Sequence, residues 1–149
     1  VVVNLPAHGL NLTSASKVTL NDYVKTVSDA IKEQKGKVTL VAHSMAGIVA
    51  SQVANNMADR IEKVVYVAAY LPKNGEDLLT LSKKDAQSKV GGALEFSQDY
   101  TEAKIKKDMI VPAVCADCPD FMKDVLVKYH KAEPAKPLGE KVSLGAKFN

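Results

Sequence analysis

Ser44 sits in Ala42-His43-Ser44-Met45-Ala46-Gly47, and its type and surroundings could do covalent chemistry. An apolar, β-branched run, Val38 to Val41, stops at this hexapeptide, and a second apolar run follows it with helical spacing. A serine hydroxyl is a poor nucleophile and has to be presented to both a substrate and a base. A sharp, strained turn between strand and helix achieves that presentation, provided that small residues lie two before and two after the serine. The spacing is usually written G-x-S-x-G. Here Ala42 and Ala46 hold the glycine positions, with Gly47 just behind. Alanine is the smallest departure from glycine, and the tightest strand-to-helix packing is expected at Ala46. The first N–H groups of a helix have no intrahelical partner, and its dipole favours negative charge there. The Met45 N–H is therefore the candidate donor to an oxyanion formed when Ser44 attacks a carbonyl. The plainer alternative is that Ser44 only caps the following helix.

The other candidate residues are weaker. His43 adjoins Ser44, but neighbours at such a turn point in different directions, which argues against it as a base. His8, in Pro6-Ala7-His8-Gly9, reads as a loop-stabilising residue, and His130 as a histidine favouring the C-terminal dipole of a helix. Cys115-Ala116-Asp117-Cys118 has redox spacing, and Pro119 follows at a helix start, yet packing or incidental thiols are the expected reading. No further ligands lie near that pair at zinc spacing, so no metal is expected. The 20 basic and 17 acidic residues are scattered, giving a net charge of +3. The basic cluster Lys104-Ile105-Lys106-Lys107 reads as a solvated face, so nucleic acid is not an expected partner. No apolar run approaches the ~20 residues of a membrane span, and no signal peptide is visible. The compartment stays open, with the cytoplasm as the default. The chain opens on Val1 rather than methionine, so its ends are not expected to be natural ones.

These residues need elements to position them. Val1 to Leu5 reads as a buried strand, followed by a turn-rich loop. Leu20, Tyr23, Val24, Val27 and Ile31 keep helical spacing, with Thr19 and Asp22 as a capping box and Lys35-Gly36 as a stop. Strands are expected at 38–41 and 63–69, with a helix from about Met45 to Met57 between them. Continuous apolar strands separated by helices indicate an α/β fold: a parallel sheet with helices on both faces. Residues 76–133 offer helices near 76–89, 101–109 and 119–131 and little strand character. A sheet-like pattern returns at Glu140 to Phe148. The expected division is a core at 1–70 carrying the Ser44 turn, an all-helical cap at 71–138, and a return to the sheet at 139–149. Loops at the C-terminal ends of parallel strands are where such sheets bind ligands.

The segments "LPAHG", "VTLNDYV" and "KVTLVAHSMAGIVASQVANNMADRIEKVVYVAAYLPKNGEDLL" together resemble the α/β-hydrolase superfamily. Within it, the chain is most similar to the branch of bacterial esterases, plant methylesterases and hydroxynitrile lyases. "VCADCPD" and "AEPAKPLGEKVSL" resemble the end of that branch's cap and its return to the sheet. The resemblance runs along essentially the whole chain but matches only the middle of the fold. It implies that the first strands, the last strands, the acid and the catalytic histidine lie outside these residues. It also implies a missing strand between those resembled by Val1–Leu5 and Val38–Val41, so another polypeptide segment is expected to complete both sheet and triad. Backbone groups left unpaired at such a gap would cost about 1–3 kcal/mol each.

Cyanogenic lyases of the branch tend to carry cysteine where this chain has Met45, which favours ester hydrolysis over cyanohydrin cleavage. The expected function is a serine esterase acting on small, apolar esters through an acyl-enzyme at Ser44, with no cofactor. The alternatives are a non-catalytic ligand-binding module or inactive fragment, and a hydroxynitrile lyase-like enzyme.

Overall fold

The computed structural model describes residues 1–148. Helix α1, Leu20–Lys32, buries Leu20, Tyr23, Val24 and Ile31 on one face. Its N-terminus carries the expected capping box. Asp22 N–H donates to Thr19 Oγ1 (3.2 Å), and Thr19 N–H donates to Asp22 Oδ2 (2.8 Å). At the other end the Arg60 guanidinium donates to the carbonyls of Ile31, Gln34 and Gly36, at 3.1, 2.7 and 3.1 Å. One of those acceptors, the helix-end Ile31 carbonyl, also accepts from Gln34 N–H at 3.0 Å.

Strand β1, Val38–Ser44, pairs in parallel with β2, Ile61–Ala69, from Val38 opposite Ile61 to Ser44 opposite Ala69. Helix α2, Ala46–Asn56, makes the connection and buries Ile48, Val49 and Val53 against α1 and the sheet. This βαβ unit holds Ser44 at the C-terminal end of β1.

Val1–Leu5 does not form the expected strand, and Val1 and Val2 are 100% and 93% exposed. A strand is fixed by its ladder, and no described strand pairs with this segment. Val41, Val65 and Val67 on β1 and β2 are also exposed.

After β2 the structure departs from an all-helical reading. The helix expected at 76–89 shrinks to α3, Leu78–Ser82, followed by the single turn α4, Val90–Ala93. The helix expected at 101–109 is instead β4, Glu102–Ile105, followed by a 3-10 turn at Lys107–Met109. β4 is the middle of an antiparallel sheet between β3, Leu94–Phe96, and β5, Glu133–Pro134. Helix-forming residues lose here to burial at every second position, with Ala103 1% exposed between exposed Glu102 and Lys104. Helix α5, Ile110–Val114, precedes α6, Asp120–Tyr129, which lies where a helix was expected at 119–131.

Cys115 and Cys118, expected as packing or incidental thiols, are paired as a disulfide with Cα atoms 5.3 Å apart, within reach of a disulfide. A short helix α7, Lys136–Gly139, leads to the tail. No strand forms over the sheet-like pattern at 140–148, and Asn149 lies outside the described residues. Val142 exchanges backbone bonds with Glu76 and Gly75 (2.9 and 3.0 Å). The N–H groups of Ser143, Leu144 and Gly145 are taken by side-chain oxygens of Gln52, Asn74 and Asn55. The alternation of buried Val142 and Leu144 is strand-like, but side-chain amides occupy the bonds that a neighbouring strand would use. Among the described residues, no helix is long and apolar enough to cross a membrane.

Candidate active site

Ser44 has φ +52°, in the left-handed region that a serine enters at a cost of about 1–3 kcal/mol. The surrounding structure holds it there. The Ser44 carbonyl accepts from Tyr70 N–H at 3.1 Å, just beyond β2, and α2 begins two residues later with Met45 as its N-cap. The sharp turn expected between strand and helix is present, and Met45 lies at the N-terminal end of α2, where N–H groups have no intrahelical acceptor.

The close approach falls one residue later than expected. A Cβ built on Gly47 would lie 2.1 Å from the Tyr70 carbonyl oxygen, so only glycine fits there. Ala46 is half-buried and borders a cavity of about 440 Å³. Ala42, at the other small position, is 3% exposed on the inner face of β1.

Ser44, Met45, His43, His8, His130 and Glu133 all border that cavity, and Leu78, Leu94, Ile105, Val114 and Leu126 give it an apolar wall. The two more distant histidines are committed. His8 Nδ1 lies 2.9 Å from the Pro6 carbonyl and Nε2 lies 2.6 Å from Glu133 Oε2. Both neighbours are acceptors, so both ring nitrogens donate and the imidazole is protonated in this arrangement. The bond to Glu133 raises the His8 pKa, outweighing the burial that pulls it down. His130 Nε2 accepts from Ile105 N–H at 3.2 Å, which leaves the ring proton on Nδ1. Among the described residues, no side chain is hydrogen-bonded to the Ser44 hydroxyl, and no three His, Cys, Asp or Glu side chains converge on a metal position.

Two features escape a reading of the sequence. Glu133 is 125 residues from His8, and no local motif announces their pairing. Tyr23 packs edge-on to His8 with ring centroids 5.7 Å apart. Its hydroxyl is buried without a partner, and burial, with the Glu133 charge adding to it, pushes its pKa up. Tyr23 was legible as a core position from helical spacing, not as a neighbour of this ion pair.

A sequence profile described as "Alpha/beta hydrolase family" matches residues 1–139. The chain is 40% identical over 74 residues to Methylesterase 7 of Arabidopsis thaliana, a match covering 47% of this chain and 28% of that protein. It is 36% identical over 72 residues to the carbendazim hydrolyzing esterase of Nocardioides sp. (strain SG-4G), covering 48% and 30% of the two chains. Among solved structures, an extracellular alpha/beta-hydrolase from a Paenibacillus species superposes with a TM-score of 0.77 at 24% identity, covering 97% of this chain and 58% of that one. A methylesterase from Arabidopsis superposes with a TM-score of 0.76 at 17% identity, covering 97% and 59%. At these identities the superpositions speak to fold alone. The chain spans about three-fifths of the length of these two structures, and its matched segments span under a third of the two curated relatives.

Proposed function

The chain belongs to the alpha/beta hydrolase family, and on that premise we propose that it is the nucleophile-bearing part of a serine esterase for small, apolar esters. The observation that carries this reading is the Ser44 backbone, held at φ +52° between β1 and α2 on the edge of a largely apolar cavity. Non-glycine residues in that region cluster where strain serves function. The esterases among the curated relatives support the same reaction class.

In this reading Ser44 Oγ attacks the ester carbonyl carbon, and its proton passes to a histidine base. Met45 N–H donates to the oxyanion, the alcohol leaves, and water releases the acid from the acyl-serine. In this reading the base and its carboxylate partner come from residues outside these 149: His8 has no free ring nitrogen, His130 Nε2 is held by Ile105, and His43, as the immediate neighbour of Ser44 at the turn, points in a different direction. The second oxyanion donor comes from outside as well. Residues 71–138 act as the cap, supplying the wall from Leu78 to Leu126, and 1–70 act as the core. A non-catalytic binding module is the second reading, favoured by the alanines at 42 and 46 and the committed histidines.

Turnover of p-nitrophenyl acetate by the full-length protein decides between them. Ser44→Ala should abolish hydrolysis above background while leaving the thermal melt in place. Equal turnover by the variant would overturn the esterase reading.

A further inference from the structure

Cys115 and Cys118 take no part in the chemistry assigned to Ser44, yet they join two pieces of its cavity wall. α5 ends at Val114, which borders the cavity, and Cys115 follows directly. α6 starts two residues after Cys118 and brings Leu126 and its C-cap His130 to the same cavity. The backbone alone already closes this corner, with Cys118 N–H bonded to the Cys115 carbonyl at 3.2 Å and Cys115 N–H to the Val111 carbonyl at 2.9 Å. Both cysteines are only half-buried, within reach of a small thiol.

A disulfide spanning three residue steps removes little entropy from the unfolded chain, so this one is a weak staple for the fold as a whole. Its effect is local. The turn is already closed by the Cys118 N–H bond to the Cys115 carbonyl, and a partly accessible disulfide at such a corner fits the labile class rather than the structural one.

We propose that Cys115–Cys118 is a reversible thiol–disulfide site, exchanged by low-molecular-weight thiols, whose oxidised form fixes the α5–α6 corner of the cavity. In the reducing direction a thiolate of the small thiol attacks one protein sulfur. The Cys115–Cys118 bond breaks, a mixed disulfide forms, and the departing cysteine thiolate takes up a proton. A second small thiolate attacks its counterpart in the mixed disulfide, releasing the small-molecule disulfide and the second cysteine. Two small thiols are oxidised and one protein disulfide becomes two thiols, so atoms and electrons balance.

The test uses native full-length protein equilibrated in glutathione and glutathione-disulfide mixtures of graded ratio. Differential alkylation and mass mapping of the 115–118 peptide give the oxidised fraction, and amide hydrogen exchange reports on residues 113–123. The expected result is a smooth titration between the two forms at an unchanged fold. Exchange at 113–123 should rise at least threefold on reduction, while Val49 to Val53 in α2 stay constant. A Cys115→Ser, Cys118→Ser double variant should exchange like the reduced form in every mixture. The proposal is overturned if the pair remains reduced in the most oxidising mixture, resists reduction until the protein unfolds, or shows equal exchange in both forms. None of these readouts needs ester turnover, so failure here is distinguishable from failure of the esterase reading.

Discussion

Gly47 meets the tightest constraint at the turn. Gly→Ala inside a helix normally gains about 1 kcal/mol from propensity. Here the new Cβ would lie 2.1 Å from the Tyr70 carbonyl oxygen, a backbone atom that cannot swing away. Gly47→Ala should therefore destabilise, by about 1–3 kcal/mol as overpacking typically does. Ala46→Gly should cost only about 0.5–1 kcal/mol. Thermal melts of both variants check the order. The run of small residues was legible in sequence, but which of them meets Tyr70 was not, because that depends on how α2 lies across the end of β2. His8 offers a second check. Its pKa is raised, so the stability from its bond to Glu133 is fully present below the ordinary value of 6.5 and is lost as pH rises through the folded-state value. Both side chains are partly exposed, at 27% and 38%, which limits the pair to about 0.5–1 kcal/mol. Glu133→Gln should lower the melting temperature at pH 6 and make little difference at pH 9.

Elements with strong local signals were the ones readable from sequence. The start of α1 followed from Thr19 and Asp22, and the capping box is present in the structure. Thr19→Ala should cost about 1 kcal/mol, read as a shift of the denaturation midpoint with unchanged slope. β1 and β2 followed from their apolar, β-branched runs, and α2 from its spacing. β4 was hidden because Glu102, Ala103 and Lys104 are ordinary helix residues. Only pairing with β3 and β5, the latter about 30 residues away, makes a strand of them. The reverse happened at the tail, where Val142 and Leu144 alternate like a strand but side chains from α2 and the loop after β2 occupy the backbone bonds. The closing of α1 by Arg60 was equally invisible, since nothing local marks an arginine 24 residues beyond Gly36 as its partner.

At the scale of the whole molecule, the parallel sheet of the described residues has two strands and exposes Val41 and Val67 at 70% and 48%. Runs of that composition belong to strands covered on both faces. About two-fifths of each superposed structure lies outside the part this chain covers, and the esterase proposal has a further segment pack against this sheet and bring the base for Ser44. In the esterase proposal Ser44 is the residue acylated once that assembly is complete. The most direct test is a fluorophosphonate probe reacted with folded full-length protein, followed by peptide mapping. One stoichiometric adduct is expected on the peptide carrying Ser44, lost in Ser44→Ala and in protein unfolded before labelling. Folded protein that hydrolyses esters but carries the adduct at another residue, or carries none, would contradict it.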